Sequence, residues 1–340
     1  MVNSLIADNV VTGHLLRRES GPNALHVENS TIAGNSIGAA HVISASGDVV
    51  LVRSISWQPG RTTLAQSSGS RNVNNVLANE VISLGGGGAV STIVNDDPLF
   101  VDAASGDYRP HAASTAVDFA SSGGGPDLAG NMRAFDLPIK PNWNGTGDLG
   151  AYERVDMAPL VRNADFDGDL RLWDVQGSTT WVNENFVGRA GALRISKSGL
   201  VGGERVVGAS HCVPLPGPGT YRLSGAGRAP GTIIVGGGEL PGDSLRIAWQ
   251  LKPATGLNCG GTASAIGEIN LGTQPTWHHA AAPAEITLLP SQWTRGARLL
   301  VQLVVENTDA FNAPIANGYF DGITLELAGN DTIFRNGFDD

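Results

Sequence analysis

Over roughly the first 90 residues, short apolar runs alternate with Gly, Asn and Ser turns, and no 3.6-residue stripe is sustained. Asn3-Ser4-Leu5-Ile6-Ala7-Asp8-Asn9 returns almost intact as Asn29-Ser30-Thr31-Ile32-Ala33-Gly34-Asn35, 26 residues on. Weaker echoes begin at Arg53 and Asn74, 24 and then 21 residues further along. Short strands at a period of roughly 20–30 residues predict a solenoid, whose units bury their apolar sides only against one another. Helix start signals are scarce, so the units are strands. The expected fold is a parallel β-helix with Ile, Val and Leu inward and Asn stacked at the turns. A β-sandwich whose strands resemble one another by chance is the competing reading.

After residue 160 the pattern changes to alternating runs at 193–195, 221–223, 245–251, 299–305 and 319–327, separated by Gly, Pro and Thr. Six or more such strands predict a β-sandwich or jelly roll. The resulting organisation is all-β. Residues 1–95 form solenoid coils, 96–153 an Asp-, Gly- and Pro-rich closing segment, 154–159 a linker, 160–328 the jelly roll and 329–340 a tail.

Two stretches resemble known families. The ordered motifs Asp97-Pro98-Leu99-Phe100, Gly106-Asp107-Tyr108-Arg109-Pro110, Asp127-Leu128-Ala129-Gly130-Asn131 and Asp148-Leu149-Gly150-Ala151-Tyr152-Glu153 resemble the choice-of-anchor Q region. That region closes the C-terminal end of right-handed parallel β-helices, of the pectate-lyase-like kind, in bacterial surface and secreted proteins. The resemblance implies a cap over the last coil, where apolar residues and unpaired backbone would otherwise face water. Asn163-Ala164-Asp165-Phe166, Trp173 and Tyr319-Phe320-Asp321-Gly322-Ile323 are similar to carbohydrate-binding jelly-roll modules. The last residues, Ile333-Phe334-Arg335-Asn336-Gly337-Phe338, look like the endings of some bacterial secreted proteins.

Composition narrows the function. The formal net charge is −10, with three lysines and no clustered basic face, which excludes nucleic acid as a partner. No run approaches the 18 or so apolar residues of a membrane span. The chain opens on Met1-Val2-Asn3-Ser4 without a basic or apolar leader. Few coils precede the closing segment, so the expectation is a C-terminal piece of a longer protein, its signal peptide upstream. Cys212 and Cys259, 47 residues apart and in no Cys-x-x-Cys pair, read as a disulfide or as two reduced thiols. A disulfide implies an oxidising compartment, hence a secreted or cell-surface location.

Sugar binders stack an aromatic face on a pyranose and bond its hydroxyls with nearby polar groups. Trp181, beside Asn183 and Glu184, and Trp277, beside His278 and His279, are the candidates; Trp173 and Trp249 read as core, and Trp293 as either. Adjacent histidines on a strand point to opposite faces, so His278 and His279 are poor co-ligands for one metal. Asp165, Asp167 and Asp169 alternate as oxygen ligands of a calcium loop do, but Leu170 and Gln176 occupy the places where an EF-type loop needs Gly and an acid. The jelly-roll resemblance implies instead a structural calcium between first and last strands, held by Asp165 or Asp167 with Asp321; a solvated acidic turn is the alternative. No nucleophile-elbow, zincin or Walker motif occurs. The expected function is a non-catalytic β-helix stalk carrying a module that binds polysaccharide or a cell-surface glycan. The alternative is the C-terminal portion of a polysaccharide lyase or glycoside hydrolase with its active site on further coils.

Overall fold

The computed structural model describes residues 1–79, 83–84, 87–121, 123–137, 139–184, 191–198, 200, 202–233, 239–240, 242–253, 259–294, 297–308 and 316–328. The expected tail at 329–340 lies outside them. The chain divides into two compact units, Met1–Met157 and Ala158–Asp340. The division falls inside the stretch read as a linker. Arg154 and Met157 are buried, and the Arg154 amide donates to Asp148 Oδ2 (2.6 Å) while its guanidinium reaches Asp156.

The first unit is a parallel β-solenoid of about 3 turns. One sheet stacks Leu5–Ala7, Thr31–Ala33, Val49–Trp57, Ser70–Ala78 and Gly87–Val94; a second stacks Leu16–Arg18, His41–Ser46, Thr62–Ser68 and Ser83–Leu84. The repeat seen in sequence is the register of the stack, Leu5 pairing with Thr31, Thr31 with Ile55 and Ile55 with Leu77. The last echo is corrected by one residue. Val76 pairs with Ser54, so Arg53 aligns with Asn75 and not Asn74. The cause is a corner every coil must turn in the left-handed region, where Asn3, Asn29, Arg53 and Asn75 have φ of 47°, 45°, 46° and 52°. Asn tolerates that conformation better than most residues.

Side-chain ladders follow the same register. Amides of Ser4 and Ser30 donate to Ser30 Oγ and Ser54 Oγ, each at 3.2 Å. At the next turn Asn9 donates to Asn35 Oδ1 (2.9 Å), and the Gln58 amide donates to Asn79 Oδ1 (2.7 Å). These ladders satisfy turn polar groups that burial would otherwise make costly.

The three inner strands of the first sheet, Thr31–Ala33, Val49–Trp57 and Ser70–Ala78, bury residues on both faces. Ile32, Val76 and Ala78 face the solenoid interior with Val27, Leu51 and Leu64. Ala33, Ile55 and Leu77 face outward against Phe100, Tyr108, Phe119 and Leu149. Such strands read as continuous apolar runs, as in Leu5-Ile6-Ala7, and not as alternation. The Asp- and Gly-rich segment therefore lies along the flank of the stack as well as following its last coil. It reaches the first coil, where Tyr108 OH donates to Asp8 Oδ1 (2.5 Å) and Arg133 Nη2 to Asn3 Oδ1 (3.0 Å). It also meets later coils, with the Gly150 amide donating to Arg53 O (2.9 Å) and the Ala151 amide to Thr31 Oγ1 (2.9 Å).

Gly150 has φ +94°, and a Cβ there would stand 2.5 Å from Thr31 Oγ1 and 2.9 Å from Ile55 Cδ1. Gly150→Ala is expected to cost the first unit roughly 3 kcal/mol, from backbone strain plus overpacking. Gly124→Ala, at φ +71° with nothing within 4 Å, should cost only about 1 kcal/mol. Urea melts of both variants check the contrast, and equal losses would show that the flank contact contributes nothing.

The second unit is a two-sheet antiparallel jelly-roll sandwich. One sheet orders Asp174–Val175, Arg205–Pro214, Arg298–Glu306, Ser244–Lys252 and Ala265–Gly272. The other orders Thr179–Val182, Ala192–Lys197, Ala316–Leu327 and Gly219–Arg228, the last also pairing with His278–His279 and Ala284–Leu288. Tyr221, Leu223, Phe320 and Ile323 meet Leu245, Ile247, Leu299, Val301 and Leu303 between the sheets, all 0% exposed. Cys212 and Cys259 are joined in a disulfide, which ties the strand Arg205–Pro214, second in its sheet, to the loop ahead of Ala265–Gly272.

Candidate functional site

Strand phase decides what the sandwich shows to solvent. Phe320, fully buried, pairs with Leu193 on one side and Gly227 on the other. Successive residues point to opposite faces. Their neighbours Arg194, Tyr319 and Arg228, also paired in register, therefore occupy the outer face of the six-stranded sheet. Arg228 lies over the Tyr319 ring at 4.1 Å from its centroid and over the Trp277 ring at 5.8 Å, and it forms an ion pair with Glu184. Arg194 lies 5.7 Å from the Tyr319 centroid, and its Nη2 donates to Asn317 Oδ1 (3.0 Å).

Two candidates separated by most of a domain in sequence, Glu184 and Trp277, thus meet through Arg228. Their companions do not join them. Trp181 pairs with Leu193, so it takes the core side of the edge strand, where its indole N–H donates to Phe166 O (2.7 Å). It remains 36% exposed. His278 pairs with Gly227 and also takes the core side, its Nε2 against Leu271 O. The outer position belongs to His279. Trp173, 6% exposed, is core as expected, packed between Phe166 and His211 at centroid distances of 5.3 and 5.1 Å. Sequence reasoning missed Arg194, Arg228 and Tyr319. Their signal was the even spacing of polar positions in runs otherwise apolar, which needed the strand phase to interpret.

The expected calcium ligands are only partly gathered. The Ile323 amide donates to Ala164 O (3.2 Å), which brings the strand carrying Asp321 beside the segment leading into Asp165 and Asp167. Asp321 is 1% exposed, and its Oδ1 accepts from the Gly322 amide (2.7 Å). Among the described residues no three His, Cys, Asp or Glu side chains converge. Calcium takes about six to eight oxygen ligands, more than these carboxylates supply by themselves.

A concavity of 510 Å³ runs over the outer face of the second solenoid sheet, lined by Arg17, Glu19, Ser44, Ser46 and Ser67 among others. Arg17 and Glu19 pair at 3.2 Å, and both are largely exposed. Glu19 is the one carboxylate among its described lining residues, whereas glycoside hydrolysis needs two.

Buried titratable groups lie elsewhere. Asp118, 0% exposed, has its pKa raised to about 7 by burial and then by the charge of Asp136. Burial also raises the carboxyls of Asp148 and Glu153, which accept from backbone amides of Asp118, Arg154, Ala134 and Phe135. In the second unit His211, 2% exposed, has its pKa lowered to about 4 by burial and then by the charge of Arg162. Its Nδ1–H donates to Leu172 O (2.6 Å).

Fold and site together define an all-β protein of two units, a parallel solenoid and a jelly roll with an aromatic and arginine-lined outer face. No family model matches the chain, and no curated protein matches it. Among solved structures it is similar to TmCBM61 in complex with β-1,4-galactotriose, at 19% identity and TM-score 0.31, over 49% of this chain and 97% of that one. The CBM22-1 xylan-binding domain from Paenibacillus barcinonensis Xyn10C is similar at 15% identity and TM-score 0.29, over 48% of this chain and 91% of that one. The enzymatically active domain of Bacteriophage CBA120 tailspike protein 4 is similar at 13% identity and TM-score 0.33, over 94% of this chain. This chain spans 45% of that one. At TM-scores this low the functional reading rests on the side chains. No helix among the described residues is long and apolar enough to cross a membrane.

Proposed function

We propose that this chain binds polysaccharide through the outer face of the six-stranded sheet, as the non-catalytic module of a secreted or cell-surface β-solenoid protein. The observation that carries the reading is the group of Trp277, Arg228, Glu184 and Tyr319 on the outer side of this sheet, the Tyr319 ring being 9% exposed beneath Arg194 and Arg228. Trp277 is half-buried, which leaves part of an indole face for a pyranose, while the Arg228–Glu184 pair holds donors and acceptors beside it for hydroxyls. A face of this kind supplies orientation and hydrogen bonds but no pair of acids poised across a bond. The disulfide supports an oxidising compartment, since such bonds persist there and are rare in a reducing cytosol.

Glycan-array binding followed by calorimetry on the best ligand tests this. Trp277→Ala is expected to weaken binding about tenfold or more, and Trp181→Ala, on the core side, to leave affinity unchanged. Absence of binding to any glycan removes the reading.

A further inference from the structure

The structure assigns to this same face a preference for anionic saccharides, with Arg194 receiving a carboxylate or sulfate of the sugar; the inference rests on the polysaccharide reading above. Four outward strand arginines of the second unit share a pattern. Arg222 and Arg228 on this sheet reach Glu285 and Glu184, and Arg205 and Arg246 on the other sheet reach Glu268 and Glu306. Arg194 departs from it. Its polar contact among the described residues is the neutral amide of Asn317, and its buried Nε has no hydrogen-bond partner among them. In a chain with 32 acidic and 22 basic residues, an arginine on a strand of an acid-rich surface meets a carboxylate readily.

Arg194 is also beside a second guanidinium. It and Arg228 lie 5.7 and 4.1 Å from one Tyr319 centroid, and Glu184 pairs with Arg228. Two cations and one anion leave the row with positive charge, and the Tyr319 ring holds Arg194 in place, which limits the ordering cost of binding. A guanidinium takes a carboxylate or sulfate in a bidentate fork, a geometry hydroxyls do not match. From Arg194 to Trp277 the row crosses three strand spacings, about 14 Å. An oligosaccharide that stacks one ring on Trp277 therefore reaches Arg194 with an acidic group further along.

The test compares matched polymers by affinity electrophoresis and calorimetry on the full chain: polygalacturonate against its fully methyl-esterified form, and dextran sulfate against dextran. At least one charged member is expected to bind about tenfold more tightly than its uncharged partner, with affinity falling as salt is raised. Arg194→Ala should remove about tenfold of the charged affinity and leave the uncharged one unchanged. The pair that responds separates uronate from sulfate. The overall negative charge of the chain opposes nonspecific attraction to either polyanion. Uncharged partners bound as tightly, or no effect of salt on the wild-type chain, would overturn the inference while leaving sugar binding intact. If none of the four polymers binds and a glycan array is also blank, both fall. Should Arg194→Ala misfold, as judged by its melting curve, Arg194→Gln gives the same readout.

Discussion

Taking the protein from pH 8 to pH 5 is expected to move the melting transitions of its two units in opposite directions. In the first unit, the pKa of Asp118 is raised to about 7 in the folded state, above the 3.8 of an ordinary aspartate. The folded state therefore holds the proton more tightly. The ionised form destabilises the fold above about pH 7, and stability returns as pH falls from 7 towards 4. Between pH 8 and pH 5 the gain is about 2 kcal/mol, and the raised carboxyls of Asp148 and Glu153 act in the same direction. In the second unit the histidine pKa is lowered from 6.5 to about 4 on folding. The folded state resists the proton, so stability is complete above about 6.5 and is lost as pH falls through the window down to 4. The loss at pH 5 is about 2 kcal/mol. Scanning calorimetry at the two pH values should show one transition rising and the other falling. Asp118→Asn should flatten the first and His211→Phe the second. Transitions that move together, or variants that keep the wild-type slopes, would show that these two groups do not govern the response.

The other large effect is local to the second unit. The Cys212–Cys259 bond closes a loop of 47 residues. On the chain-entropy account its removal costs about 4 kcal/mol, since the unfolded chain regains the freedom that the cross-link withholds. Cys212→Ser with Cys259→Ser should lower the urea midpoint of the second unit and leave that of the first unchanged. Reductant applied to the wild-type chain should reproduce the shift. Two free thiols by mass spectrometry without reductant would remove both this effect and the support for an oxidising compartment.

These effects differ in how far they could be read from the chain. The coils were legible because the solenoid repeats a local requirement: a left-handed corner at Asn3, Asn29, Arg53 and Asn75, followed by a strand. Where the corner residue is Arg53 the echo weakened, and the last alignment slipped to Asn74. The flank was less legible. Leu5-Ile6-Ala7 and Val76-Leu77-Ala78 announce burial on both faces, but a resemblance to an end-closing segment drew attention to the last coil alone. The second unit's site was half legible. Trp277 and Glu184 are legible as residue types but the phase of each strand is not, and Trp181 and His278 stand one step from the outer-side row.

The amino-acid sequence by itself determined an all-β chain of two architectures, its coil period, its cysteine pair and its acidic charge, because these follow from composition and from contacts between neighbours one repeat apart. Only the tertiary structure decided that the 96–153 segment covers the flank, that His211 and Asp118 are enclosed, and that Arg194, Tyr319, Arg228 and Trp277 form one row. The reason is physical. Which face of a strand meets water is set by its partner in the sheet, and in the jelly roll those partners come from distant parts of the chain.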